Sequence, residues 1–229
     1  MSTRRVAFVT GGGRGIGAEV ARQLASRGIA VALAARTRTE VENVATELRA
    51  KGAHALAIGC DVTRAHDVDA AATATERELG PIDVLVNNAG VAARTPLIEM
   101  DEETWDAVVD TSLKGAYLAT RRALPGMLAR GRGRIVTVSS ISGTLGTARM
   151  TAYCAAKWGL IGFTKALAEE TRDTGVVVSV VLPGSTDTAM LRGSGFPPRM
   201  TPADVASTIA YLACDAPAAT HGGSFELFG

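Results

Sequence analysis

The segment Val176-Val177-Val178-Ser179-Val180-Val181-Leu182 carries one polar side chain and no alternation of polar with apolar positions. A strand with one face in water reads with period two. A nearly unbroken β-branched run belongs to a strand covered on both faces, and a parallel sheet between two layers of helices is the usual cover. The rest of the chain keeps the same rhythm. Short apolar runs predict strands at 6–9, 30–34, 54–58, 84–87, 134–139, 176–182 and 224–228. Between them, Ala-, Leu- and Glu-rich stretches at helical spacing predict helices near 15–27, 39–51, 65–79, 102–130, 151–173 and 202–214. Such alternation specifies an α/β fold, a doubly wound Rossmann-type parallel sheet of about seven strands with helices on both faces. Local signals agree at two boundaries: Thr201-Pro202-Ala203-Asp204 offers an N-cap hydroxyl and a proline at the first helical position, and Thr174-Gly175 suits a helix end.

With 229 residues and neither a repeat nor a low-complexity linker, the chain is expected to form one domain, 1–229. Its 24 basic and 23 acidic residues nearly cancel, which gives no reason to expect nucleic acid or an anionic membrane as partner. The three cysteines, Cys60, Cys154 and Cys214, make no C-x-x-C pair; free thiols are expected, and no metal site. Met1-Ser2-Thr3-Arg4-Arg5 is basic, but the apolar run behind it is too short for a signal peptide core. No stretch approaches the ~20 apolar residues of a membrane span, so a cytoplasmic protein is expected.

An open α/β sheet binds its ligands beyond the carboxyl ends of its strands. The first predicted strand runs into Thr10-Gly11-Gly12-Gly13-Arg14-Gly15-Ile16-Gly17 and then an amphipathic helix. Glycines there let the chain turn and bring backbone N–H groups close to a pyrophosphate, and the helix start adds partial positive charge. The fourth strand ends in Asn87-Asn88-Ala89-Gly90 and the sixth in Pro183-Gly184, either of which alone could be punctuation. Together they mark one edge of the sheet.

The combined pattern resembles the short-chain dehydrogenase/reductase family, and within it members of the 3-oxoacyl-acyl-carrier-protein reductase type. The resemblance rests on Thr-Gly-x3-Gly-x-Gly at 10–17, Asp61-Val62 after the third strand, Asn-Asn-Ala-Gly at 87–90, Tyr-x-x-x-Lys at 153–157 and Pro183-Gly184. It implies that Gly11, Arg14, Gly15, Ile16 and Gly17 approach the cofactor phosphates and Asp61 and Val62 its adenine. Asn88, Ala89 and Gly90 would flank it, while Pro183, Gly184 and Thr188 would hold the nicotinamide side. After the second strand an NAD-preferring site carries a carboxylate. Here the chain reads Ala35-Arg36-Thr37-Arg38, with no acid before Glu40. Arg36 and Arg14 suit a 2′-phosphate, so NADP(H) is the expected cofactor.

Tyr153 and Lys157 share one face of a helix by their spacing. Alone, such a pair is packing plus a solvated amine. With Ser140 closing the strand upstream, the resemblance implies a catalytic group. Reduction of a carbonyl needs a proton donor for the developing alkoxide, and a free phenol, with a pKa of about 10, is a weak one. Tyr153 is then the general acid or base, and Lys157 lowers its pKa and bonds the cofactor ribose. Ser140 hydrogen-bonds the substrate oxygen, while Ser139 belongs to the wall.

One position departs from the family. Where it usually has Asn-x-x-Gly, this chain has Ser112-Leu113-Lys114-Gly115. Ser112 is the candidate to hold the water that links Lys157 to solvent. On the substrate side, 189–201 is short for the family and rich in Gly and Pro, which suggests an open or mobile mouth. Ser142, Leu145, Arg149 and Met190 are candidate neighbours of the reacting carbonyl, and Arg149 and Arg192 could attract an acidic substrate. A small carbonyl or alcohol compound is the expected substrate. The resemblance further implies a homodimer or homotetramer built on the helices near 102–130 and 151–173, with Trp105 and Trp158 packing between copies. An NAD-linked alcohol or sugar dehydrogenase and a non-catalytic dinucleotide sensor are the competing readings.

Overall fold

A computed structural model of the chain describes residues 4–229, so Met1, Ser2 and Thr3 of the basic start lie outside the described residues. Seven parallel strands form one sheet in the order β3-β2-β1-β4-β5-β6-β7. They are β1 Val6–Thr10, β2 Ala30–Ala35, β3 Ala55–Gly59, β4 Ile82–Asn87, β5 Gly133–Val138, β6 Val176–Pro183 and β7 Ser224–Leu227. The expected sheet is therefore present, with strand ends shifted by a residue or two.

The sequence pattern explains the layering. Ala7 and Val9 of β1 point into a core built with the helices α1 Gly15–Ser26, α2 Arg38–Ala50 and α7 Pro202–Cys214. Phe8, between them, points into the opposite core, with α3 Ala65–Glu78, α5 Gly115–Ala129 and α6 Thr151–Glu170. Both faces of β1 and β6 are buried along their whole length, which is why neither alternates. Thr201 and Asp204 form a reciprocal capping box at the start of α7, as the local sequence predicts.

The expected continuous helix at 102–130 is interrupted. It consists of α4 Glu102–Val109, a π-turn at Asp110–Lys114, and α5. The wider turn sits where Gly115 presses on β3's following loop: a Cβ on Gly115 would lie 2.8 Å from Val62 Cγ2. It carries Thr111 and Ser112 inward, both buried. Such inserted turns are common at functional sites.

The strand order reverses between β1 and β4. Loops from the two neighbours leave in opposite directions there and open a crevice at the carboxyl edge. No helix among the described residues is long and apolar enough to cross a membrane.

Candidate active site

A cleft of about 1390 Å³ lies at this switch point. That exceeds the ~1,000 Å³ upper range of ordinary small-molecule pockets and suits an extended ligand with a second molecule beside it. The glycine loop forms one wall. Gly11 has φ +66°, in the left-handed region that favours glycine. Gly17 is fixed by closeness instead, since a Cβ there would fall on the Gly11 carbonyl oxygen and the Asn88 side chain.

Asn88 braces this loop. Its Nδ2 donates to the carbonyls of Thr10 and Gly11, both at 3.1 Å, while the N–H groups of Asn88 and Ala89 donate to Thr10 Oγ1. The end of β4 is thereby stapled to the end of β1. Asn87 faces away and donates to Thr120 Oγ1 on α5 at 2.9 Å.

Gly11, Arg14, Gly15, Ile16, Arg36, Val62, Asn88, Ala89, Gly90, Pro183, Gly184 and Thr188 line the cleft. Gly17 and Asp61 do not. Gly17 packs behind Gly11, and the Asp61 carboxylate turns to accept from the N–H and hydroxyl of Thr63. Burial pushes Asp61 up, but those hydrogen bonds and the charges of Arg36 and Arg64 outweigh it and hold the carboxyl below its usual range. Cys60 does border the cleft; burial and the charges of Asp67 and Asp61 push its thiol up to about 12, so it stays protonated and unreactive.

Arg14 pairs with Glu40 at 3.7 Å on the rim. The start of α2 brings that carboxylate back to the loop, so an acid stands on the cleft rim beside Arg14.

Ser140, Tyr153 and Lys157 meet on the opposite wall. Ser140 lies two residues beyond β5 and Tyr153 and Lys157 come from the first turns of α6, all three buried. The Lys157 ammonium is 5.5 Å from the centre of the Tyr153 ring and donates to the Val138 carbonyl at 2.9 Å. Ser139 is spent on structure: its hydroxyl donates to the Lys157 carbonyl at 2.8 Å and ties β5 to α6. The expectation that Lys157 lowers the Tyr153 pKa is not met in the protein alone. Burial raises the phenol above its usual value and outweighs the Ser140 hydroxyl and the Arg94 guanidinium, which pull it down. Burial also pushes Lys157 down to about 8.

Ser112 sits behind this wall. Its Oγ is buried without a hydrogen-bond partner. A methyl group on Gly90 would lie 3.4 Å from Ser112 Oγ and 3.7 Å from Lys157 Nζ, so the three meet at one point. A buried hydroxyl without a partner beside an amine is a place that a water satisfies.

Ser142, Leu145, Met190 and Arg192 line the substrate end. Arg149 does not: its backbone takes φ +65° and the side chain is exposed outside the cleft. Arg94, which the sequence reading passed over, does line it. Its only signal is position, shortly after the Asn-Asn-Ala-Gly edge of β4. Among the described residues no three His, Cys, Asp or Glu side chains gather to hold a metal ion.

A parallel sheet with a glycine-loop crevice at its switch point, faced by a tyrosine, a lysine and a serine, defines a dinucleotide-binding oxidoreductase fold and cleft. The comparisons with known proteins are more specific. Residues 5–195 match the family model described as short chain dehydrogenase. A 3-oxoacyl-acyl-carrier-protein reductase of Synechocystis sp. is 38% identical, over 99% of this chain and 96% of the relative. A 2-(S)-hydroxypropyl-CoM dehydrogenase of Xanthobacter autotrophicus is 36% identical, over 98% and 95%. A crystal structure of an actinorhodin polyketide ketoreductase variant with NADPH superposes with a TM-score of 0.93 at 34% identity, covering 99% of this chain and 96% of that one. The chain belongs to the short-chain dehydrogenase family and is an oxidoreductase of that family.

Proposed function

We propose that this protein, one domain over 1–229, is an NADP(H)-dependent enzyme that interconverts an alcohol and a ketone, aldehyde or 3-oxoacyl carbonyl. The observation that carries the reading is the convergence of Ser140, Tyr153 and Lys157 across the cleft from the glycine loop. The residues fit a bound dinucleotide. Backbone N–H groups of Gly11, Gly15 and Ile16 would approach its pyrophosphate, and Arg36 with Arg14 a 2′-phosphate. Val62 borders the adenine end; Asn88, Ala89 and Gly90 form the floor; Pro183, Gly184 and Thr188 close the nicotinamide end. The NADPH of the ketoreductase structure supports that choice.

The bound nicotinamide supplies the hydride. Tyr153 gives its phenolic proton to the carbonyl oxygen as negative charge develops there, and takes it back in the oxidative direction. Burial keeps the phenol protonated, which suits reduction. Ser140 donates a hydrogen bond to the same oxygen, worth most as that oxygen becomes an alkoxide. Lys157 supplies positive charge beside the phenol and a donor for the ribose, and Ser112 holds a water against it.

Turnover of activated ketones with NADPH tests this reading, and its pH profile tests the lysine. Lys157 in the free protein loses its proton above about 8. With ketone saturating, kcat/KM for NADPH should therefore hold below that pH and fall as pH rises through it. No oxidation of NADPH with any activated ketone would reject the assignment; a profile that stays flat as pH rises through about 8 would remove Lys157 from it. The NAD-linked alternative has Glu40 in its favour, a carboxylate at the cleft rim that could accept from a ribose hydroxyl. Equal or better kcat/KM with NADH would select it.

A cytoplasmic homodimer or homotetramer completes the proposal. Trp158 on α6 is 53% exposed and Tyr117 on α5 43%, with Trp105 at 36% on α4. Aromatic rings of that size bared on adjoining helices suit a contact between copies. Trp158→Asp is expected to move the sedimenting species toward monomer; an unchanged species would place the interface elsewhere.

A further inference from the structure

The substrate end of the cleft has Val91, Ile141, Leu145, Met190 and Phe196 on its walls, beside Ser142 and Arg192. Arg94 borders the same space and is partly buried. One of its five N–H groups is used, Nη2 donating to the Met190 carbonyl at 3.0 Å. Its Nε is buried and has no acceptor. Arg94 joins no salt bridge among the described residues; Asp187, the acid that lines this part of the cleft, is exposed and does not pair with it. A guanidinium keeps its charge at any working pH, and a partly desolvated cation without a counter-ion is costly.

We infer that Arg94 is a specificity-determining residue whose counter-ion arrives with the substrate, and that the substrate class is an oxo acid with its carboxylate a few carbons from the reacting carbonyl. The inference rests on the carbonyl-reducing reading above and narrows it. The guanidinium fork offers parallel donors to the two oxygens of a carboxylate, which a neutral ester or thioester cannot use equally well. Arg94 also pulls on the Tyr153 phenol, so its field spans the place where the carbonyl is reduced. Arg94, Tyr153 and Ser140 border one cleft, so a carboxylate docked on the guanidinium leaves the carbonyl end of the same substrate to Tyr153 and Ser140. Because the same side chain grips the Met190 carbonyl, docking would also steady the segment that follows.

The test compares 2-oxo and 3-oxo carboxylic acids with their methyl esters, NADPH as reductant, in the wild type, Arg94→Met and Arg94→Lys. The readout is the ratio of kcat/KM for each acid to that for its ester, which cancels any general loss of fold or cofactor binding. The wild type is expected to favour at least one acid over its ester. In Arg94→Met that ratio should fall about 100-fold, and in Arg94→Lys by less, since charge remains without the fork. A wild type that uses every ester as well as its acid would overturn the inference and leave carbonyl reduction standing. Equal losses on acid and ester in Arg94→Met would also overturn it, leaving Arg94 only as a tether for Met190. No turnover of any acid or ester while activated ketones are still reduced would also overturn it; no turnover of the activated ketones either would remove the reading beneath it as well.

Discussion

Tyr153→Phe is expected to lower turnover by about 10²–10⁴-fold while NADPH still binds with nearly its wild-type affinity. The substitution removes one oxygen from a side chain that is 9% exposed and packed with Val108, Met150 and Ala152. The ring still fills its place, so neither the fold nor α6 should change. What disappears is the proton. Ser140 cannot replace it, because an aliphatic hydroxyl is a far weaker acid than a phenol. Lys157 cannot easily replace it either, held by the Val138 carbonyl at 2.9 Å. Single-turnover rates with a saturating activated ketone, together with NADPH fluorescence titration, separate chemistry from binding. Turnover within tenfold of wild type would reject Tyr153 as the acid. A parallel collapse of NADPH affinity would instead mean that the phenol serves binding.

Much of this was legible in the sequence because buried parallel strands write their burial directly into composition. Val176–Pro183 could hardly be read as anything else, and the glycine loop, the Asn-Asn-Ala-Gly edge and Tyr-x-x-x-Lys followed as edge features. The resemblance assigns the catalytic role to Ser140 and a wall position to Ser139; both border the cleft, and the Ser139 hydroxyl is used up on the Lys157 carbonyl. The misses come from contacts between distant segments. The π-turn at Asp110–Lys114 uses residues that would equally make an α-helix, and it sits where Gly115 approaches Val62 from a distant segment. Arg149 looked like a cleft residue by position, but a positive φ carries it outward. Glu40 was too far along the chain to be connected with Arg14 until α2 folded it back. Arg94 has no motif at all. It becomes visible only when its one hydrogen bond and its missing counter-ion are seen together.

Arg36→Asp is expected to reverse the choice of cofactor. Arg36 is exposed on the loop after β2 and lines the adenosine end of the cleft, where a 2′-phosphate would need partners. Losing charge-assisted hydrogen bonds to that phosphate costs about 1.5–3 kcal/mol. Setting a carboxylate against the phosphate adds repulsion of a similar size. Together these are about 4 kcal/mol, so the ratio of kcat/KM for NADPH to that for NADH should fall about a thousandfold. The new carboxylate can also accept from the ribose hydroxyl of NADH, which adds to the reversal. Arg14→Ala should do much less, because Arg14 already faces Glu40 at 3.7 Å and its side chain is 71% exposed, where water screens it. Removing that competitor should work the other way: Glu40→Gln frees Arg14 for the phosphate and takes away an anion beside it, lowering KM for NADPH. Steady-state kinetics with both cofactors at low and moderate salt distinguish the three, since a phosphate contact weakens as ionic strength rises. If Arg36→Asp kept a preference for NADPH, the 2′-phosphate would have to be bound elsewhere on the cleft wall.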